Sequence, residues 1–280
     1  MKRLFALLGL ILFLLPGCAK QESHAQIAAT TLPVYEFTSR LCEGTGISVT
    51  RLVTESVSCL HDYSLNVAQV RAAEAAELIV ISGAGLEDFM ADLLTGKETV
   101  DSSIGIEVAE SEHHHETDSH IWLSPENAKR MAQNIFAGLT EKYPQHKVAF
   151  ETNLQALLAD IDALQTYADA QLRDLSCREI ITFHDGFGYL AHAFDLHILA
   201  AVEEESGSEA SAAELKELIG LVRDHGLTAV FTERNGSVSA AKIIAAETGV
   251  NIYTLDMAMS GDSWLDAMYQ NIDTLKEALG

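Results

Sequence analysis

One stretch near the middle of the chain reads Glu112-His113-His114-His115-Glu116-Thr117-Asp118-Ser119-His120-Ile121-Trp122-Leu123-Ser124-Pro125-Glu126-Asn127. Its first half is an acidic, histidine-rich loop that is too polar to form a core. Its second half places His120 directly before the apolar residues 121–123. The following Ser124-Pro125 is typical of a helix N-cap followed by a first-turn proline. We therefore expect His120 to be held in place by a helix that starts directly after this apolar segment. Neutral imidazole is the commonest side-chain ligand for zinc, so further ligands are expected from distant parts of the chain.

Segments with strand-like and helix-like spacing of apolar residues alternate on both sides of this stretch. The predicted strands are 27–31, 47–53, 78–82, 179–183, 197–202, 228–232 and 251–255. The predicted helices are 33–42, 66–76, 86–94, 125–143, 187–194, 212–225, 237–248 and 264–279. This alternation predicts an α/β fold with two lobes, each a parallel sheet flanked by helices.

A single long helix is expected to join the two lobes. The segment from His146 to about Leu175 has helical spacing and contains neither glycine nor proline. About thirty residues in a helix span about 45 Å, which is longer than one small domain is wide. We predict a rigid spine helix within 144–176, between an N-terminal lobe at 26–143, with its histidine-rich loop at 112–120, and a C-terminal lobe at 177–280. A rigid spine limits metal-dependent change to loops and a small lobe tilt.

The amino terminus has the pattern of an export signal. Lys2 and Arg3 precede an apolar run that is too short to span a bilayer. The run ends in Leu-Pro-Gly-Cys, which resembles a bacterial lipobox. We expect a lipoprotein signal peptide at 1–17, a lipidated Cys18 and a polar tether at 18–25, which makes the protein extracytoplasmic and anchored to the cell membrane by lipid. Ordinary signal cleavage, giving a free secreted protein, is the alternative.

The composition narrows the choice of partners. The chain has 41 acidic and 18 basic residues and a formal charge of −23. Such an acidic surface argues against nucleic acid and anionic membrane surfaces as partners, and it suits a protein that concentrates cations.

Three histidines and one aspartate occupy equivalent places in the predicted topology. His61 lies in the loop after the second strand, His120 precedes a helix, His184 ends a strand and Asp256 follows another. Ligands of open α/β sheets gather outside the carboxyl ends of the strands, so these side chains can converge between two lobes. Three imidazoles and one carboxylate suit tetrahedral Zn(II), and Mn(II) fits less well because it prefers more oxygen ligands.

Six short motifs resemble one family, the zinc- and manganese-binding solute receptors of ABC transporters, or ZnuA-like group. They begin at Thr30, Leu60, Ile81, His120, Phe183 and Glu247, and read Thr-Thr-Leu-Pro-Val-Tyr, Leu-His-Asp-Tyr, Ile-Ser-Gly-Ala-Gly-Leu-Glu, His-Ile-Trp-Leu-Ser-Pro-Glu-Asn, Phe-His-Asp-Gly-Phe-Gly-Tyr and Glu-Thr-Gly. Their order is the family's order, and they cover nearly all of the chain after the signal segment.

The resemblance implies two lobes joined by a long helix, with metal held in the cleft by His61, His120, His184 and Asp256. Members that favour manganese tend to have glutamate at the position of His184, so histidine favours zinc. A histidine-rich loop before the second ligand is also typical of zinc members. The glutamate that precedes the first histidine in some zinc members is replaced here by Leu60.

Several of these residues also have simpler interpretations. Asp256 has the position of a helix N-cap, and His113, His114 and His115 are either an auxiliary site of metal capture or a solvated tract. Asp62 and Asp185 either accept hydrogen bonds from the histidines that they follow or shape the turns. We expect Glu233 to contact at most a side chain that binds the metal, and not the metal itself.

Two of the remaining cysteines are candidates for a disulfide. Cys42 ends the first predicted helix and Cys59 lies in the loop that presents His61, so a bond between them would hold that loop. Two free thiols are the alternative. Cys177 is interpreted as a small buried hydrophobe.

The sequence therefore predicts a receptor, not an enzyme. It is expected to be a monomer that captures Zn(II), or alternatively Mn(II), and delivers it to an ABC permease. A zinc-dependent hydrolase is a weaker alternative, because the chain has no His-Glu-x-x-His motif and no clear general base. A surface protein for cell adhesion or metal scavenging, without a permease, is the third possibility.

Overall fold

The N-terminal half contains a parallel four-stranded sheet. The structure is a computed structural model that describes residues 25–55, 60, 63–109, 117–202 and 210–280. The strands are β1 (Ile27–Ala29), β2 (Val49–Arg51), β3 (Leu78–Ile81) and β4 (Thr99–Asp101), in the order β2-β1-β3-β4. The side chains of β1 and most of those of β3 are buried, as expected for strands covered on both faces.

Among the described residues of this half, the helices are α1 (Leu32–Leu41), α2 (Val67–Ala75), α3 (Ala91–Leu94) and α4 (Pro125–Lys142). The hydroxyl of Ser124 accepts a hydrogen bond from the Asn127 amide at 3.4 Å and Pro125 is the first residue of α4, so the predicted cap is confirmed. A 3-10 turn at Ile121–Leu123, which was not predicted, separates His120 from the helix.

The C-terminal half repeats the same topology. Its strands are β5 (Glu179–Thr182), β6 (His197–Ala201), β7 (Ala229–Glu233) and β8 (Asn251–Leu255), in the parallel order β6-β5-β7-β8. Its helices are α6 (Gly188–Ala193), α7 (Ala212–His225), α8 (Ser239–Thr248) and α9 (Trp264–Leu279). The predicted α/β fold with two parallel sheets is confirmed.

The 25-residue helix α5 (Lys147–Gln171) lies between the two sheets in sequence and packs against both halves. A 3-10 turn at Pro144–His146 precedes it. One face of α5 belongs to a hydrophobic cluster that includes Ile27 of β1, Leu157 of α5 and Phe231 of β7. Because this cluster contains side chains from both sheets, the two halves share one apolar core. The residue boundaries of the lobes stay a prediction.

The segment after β3 differs from the prediction. A helix was expected at 86–94, but the chain forms a 3-10 turn at Asp88–Met90 and then the single turn of α3. The Glu87 carboxylate folds back and accepts hydrogen bonds from Thr30 Oγ1 (2.6 Å), the Ser82 amide (2.8 Å) and the Gly83 amide (3.0 Å). Burial raises the pKa of Glu87 to about 7. These contacts hold the chain in a turn where the local pattern indicates a helix.

Within the described ranges, no helix combines the length and the apolar character needed to cross a bilayer.

Candidate metal centre

His120 and His184 lie against each other although 64 positions separate them in sequence. Their Nε2 atoms are 3.5 Å apart, and the two rings meet edge to face. The residues are 4% and 2% exposed. His120 precedes the 3-10 turn that leads into α4, and His184 follows β5, so the pair joins the two halves of the chain.

Asp118 orients the first of these rings. Its Oδ1 accepts hydrogen bonds from the backbone amide of His120 and from the ring Nδ1, each at 2.9 Å. Because an ionised carboxylate only accepts hydrogen bonds, Nδ1 of His120 is the donor in this contact, and Nε2 of the same ring faces His184. This arrangement is common in histidines that bind metals. Asp118 was not predicted as a functional residue, although its place two residues before a histidine is typical of an Asx turn.

Gly186 allows the two rings to approach. A Cβ atom at this position would lie 2.7 Å from Cε1 of His120 and 2.8 Å from Cδ2 of His184. Carbon atoms do not approach so closely without displacing each other, so a glycine is needed where the turn after His184 passes beneath both rings.

Strand β7 places Glu233 beside His184. Thr182 of β5 is the register partner of Phe231 of β7, so the residues two positions further along are also neighbours. The Glu233 carboxylate is 4.0 Å from Nδ1 of His184, and both side chains are 2% exposed. The Glu233 side chain therefore lies next to the predicted ligand His184.

Asp256 follows β8, as predicted, and its carboxylate has two partners. Oδ1 accepts a hydrogen bond from the Ala258 amide at 2.8 Å, and Oδ2 lies 2.9 Å from Nε of Arg234. The Asn271 side chain bonds to both the amide and the carbonyl of Asp256. The described residues contain no group of three or more His, Cys, Asp or Glu side chains placed to hold a metal ion, and the ligand role of Asp256 stays a prediction.

The two tryptophans of the chain link the His120 and Asp256 segments. Nε1 of Trp122 donates to the Met257 carbonyl at 2.7 Å, and Nε1 of Trp264 donates to the Trp122 carbonyl at 3.1 Å. The Trp122 ring also contacts the His120 ring, with centroids 5.4 Å apart. These contacts tie the His120 segment to the Asp256 segment.

Several predicted site residues lie outside the described residues: His61, Asp62, Cys18, Cys59, His113, His114 and His115. Asp185 is half-buried next to His184. Cys42 is buried and has no disulfide partner among the described residues, and burial raises the pKa of its thiol to about 12. The pairing of Cys42 with Cys59 stays a prediction.

The amino-acid sequence of the chain matches the model of one known protein family. Residues 27–278 match the family model ZnuA, described as zinc-uptake complex component A, periplasmic. The chain belongs to the ZnuA family. This is the family that the motifs resemble, and it is one of solute-binding receptors and not of enzymes.

Relatives and solved structures of the ZnuA family match almost the full chain. The zinc-binding lipoprotein AdcA of Streptococcus pneumoniae serotype 4 is 29% identical over 99% of this chain, which spans 61% of that protein's length. The high-affinity zinc uptake system protein ZnuA of Bacillus subtilis is 28% identical over 90% of this chain and 87% of its own length. A crystal structure of ZnuA matches with a TM-score of 0.81 and 30% identity, covering 91% of this chain and all of that chain.

Proposed function

We propose that this protein is an extracytoplasmic receptor that captures Zn(II) between its two lobes and delivers it to an ABC permease for uptake. The ligands are His61, His120, His184 and Asp256. Three imidazoles and one carboxylate form the kind of donor set that zinc accepts.

The observation that carries this proposal is the 3.5 Å distance between Nε2 of His120 and Nε2 of His184. Two imidazole nitrogens about 2.0–2.1 Å from a tetrahedral zinc ion lie about 3.3 Å apart. The two rings thus have the spacing of a ligand pair. Asp118 holds the His120 ring with its Nε2 atom turned towards His184.

The choice of metal rests on the donor atoms and on the relatives. Imidazole suits zinc, whereas manganese prefers more oxygen ligands, and the relatives AdcA and ZnuA are named for zinc. Binding needs neutral histidines, so affinity is expected to fall as the pH drops through the imidazole range. Manganese as the cargo is the alternative.

The cellular setting is proposed on the same basis. A lipid on Cys18, after removal of residues 1–17, would tether the receptor at the outer face of the membrane, close to a permease. The AdcA relative is named a lipoprotein. The receptor is proposed to act as a monomer, with metal capture assisted by His113, His114 and His115.

Competition calorimetry on the metal-stripped chain starting after Cys18 tests the proposal. We expect one tight zinc site that is preferred over manganese and that is lost in His184→Ala. The matched control is His225→Ala, because His225 is an exposed histidine paired with Glu179 on the surface. Preference for manganese, or tight zinc binding that survives His184→Ala, would contradict the proposal. Zinc-dependent hydrolysis that is lost in His61→Ala would revive the enzyme alternative.

A further inference from the structure

Glu233, the last residue of β7, and Arg234, which follows it, lie beside the two predicted ligands of the C-terminal half, His184 and Asp256. Glu233 pairs with Leu255 in the register of β7 and β8, so the following residues, Arg234 and Asp256, are also opposite each other. The Arg234 amide donates to the Leu255 carbonyl at 2.8 Å and extends the ladder to this point. Strand register thus brings a guanidinium to a predicted metal ligand.

The contact between these side chains affects the atom that a metal would use. Nε of Arg234 lies 2.9 Å from Oδ2 of Asp256. Oδ1 is engaged by the Ala258 amide and the backbone of Asp256 is fixed by Asn271. Asp256 is therefore held in place, whereas the Arg234 side chain is 54% exposed and is free to move away. A bound dication and a guanidinium on the same carboxylate repel each other, so the Arg234 contact weakens the binding of a metal ion to Asp256.

We propose that Arg234 is a positioning residue that sets metal selectivity by competing with the metal for Asp256. Because a metal ion competes with Arg234 for Asp256, this carboxylate adds less to the affinity than an unpaired one would, and zinc depends mainly on the three imidazoles. Manganese depends more on oxygen ligands, so withholding Asp256 penalises manganese more than zinc. This inference rests on the proposed function, because it assumes a metal bound by His120 and His184.

The exposed Arg234 side chain fits such a competition better than a purely structural role. Its other side-chain hydrogen bond goes to Oε1 of Gln270 at 3.1 Å. Arg234 and Gln270 are both exposed, so the guanidinium can leave the buried Asp256 carboxylate without unpacking the core.

The test compares zinc and manganese affinities of the metal-stripped soluble chain for wild type and Arg234→Met, which keeps much of the length and removes the charge. We expect Arg234→Met to bind manganese about tenfold more tightly and zinc about threefold more tightly, because the freed carboxylate adds an oxygen ligand. Arg234→Lys should keep a ratio close to wild type, because an ammonium group also pairs with a carboxylate. Arg223→Met is the control, since Arg223 bonds to the Glu247 carbonyl on the surface.

A double-mutant cycle separates this role from a general structural effect. In an Asp256→Asn background, Arg234→Met should leave the zinc-to-manganese ratio unchanged. Two results would overturn this inference but not the proposed function, provided that wild type binds zinc through His184. One is an unchanged zinc-to-manganese ratio in Arg234→Met. The other is that Arg234→Met changes the ratio equally in the wild-type and Asp256→Asn backgrounds. Wild type that binds no zinc, or binds it independently of His184, would overturn the proposed function and this inference with it. If Arg234→Met fails to fold, Arg234→Gln is measured by the same criteria.

Discussion

The Asp118 carboxylate accepts hydrogen bonds from both the backbone amide and the ring Nδ1 of His120, each at 2.9 Å. One oxygen atom thus fixes the chain and the ring of a predicted ligand together. Removing such an orienting group typically lowers metal affinity about 10–100-fold. We expect this loss of zinc affinity in Asp118→Ala, measured by competition titration.

The control for Asp118→Ala is Asp162→Ala, which removes an exposed carboxylate paired with Lys129. Exposed ion pairs of this kind contribute about 0–1 kcal/mol to stability, and no contact among the described residues joins this pair to His120 or His184. Equal zinc affinity in the two variants would show that Asp118 does not orient His120 for binding.

Gly186→Ala tests the close approach of the two rings. The added methyl group would lie less than 3 Å from both His120 and His184, so at least one ring must move. We expect zinc affinity to fall at least about tenfold, as for loss of an orienting group, while circular dichroism stays native. Gly220→Ala in α7 is the matched control, because its Cβ would meet no atom within 4 Å. Undiminished zinc affinity in Gly186→Ala would contradict this account.

Zinc binding should change tryptophan fluorescence, because the Trp122 ring contacts the His120 ring. The chain has two tryptophans. We expect Trp122→Phe to abolish most of the zinc-dependent change and Trp264→Phe to retain it. The opposite pattern would mean that the signal comes from the packing around α9 and not from the histidine.

Zinc should leave the overall dimensions of the protein almost unchanged. Helix α5 and the shared hydrophobic cluster bind the two halves together, which opposes a wide hinge motion. Small-angle scattering of the metal-free and zinc-bound forms checks this. A large compaction on zinc addition would mean that the shared core separates in the metal-free state.

The buried Glu87 predicts a pH dependence of stability. Its pKa is about 7 in the folded chain and 4.5 ordinarily, so between these values the folded state holds a proton that the unfolded state has released. The stabilisation of the folded state by protonated Glu87 is therefore fully present below pH 4.5 and is lost as the pH rises towards 7. The loss amounts to about 3 kcal/mol.

Urea unfolding of wild type and Glu87→Gln across this pH range isolates the effect, because other titrating groups cancel in the difference. We expect a lower stability of Glu87→Gln at acid pH, since an amide cannot accept every hydrogen bond that Glu87 accepts. The difference between the two proteins should shrink as the pH rises. A constant difference would show that Glu87 ionises as readily in the folded chain as in the unfolded one.

The sequence predicted the bounds of those helices and strands whose ends are marked by residues within a few positions, such as helix caps. The bounds of α7, β8 and α9 agree with the sequence prediction. Ser211 forms a capping box with Glu214 at the start of α7, and Gly226 ends the helix in the left-handed region at φ 63°. Such caps act within a few residues, which is why the sequence alone reveals them.

The features that sequence reasoning missed depend on distant contacts. Strand β4 was not predicted, because it has three residues that are all only partly buried and so lacks a clear apolar pattern. The turn at Glu87 depends on Thr30, which lies 57 positions away. The pair of Arg234 and Asp256 depends on strand register, which no local pattern specifies.

The position of β7 between β5 and β8 has an evolutionary consequence. The codons for Glu233 and Arg234 are adjacent, yet one side chain lies beside His184 and the other beside Asp256. Two neighbouring nucleotide triplets therefore encode the surroundings of two predicted ligands from different strands. A lineage can alter both environments through this one short stretch of DNA while every ligand codon stays the same.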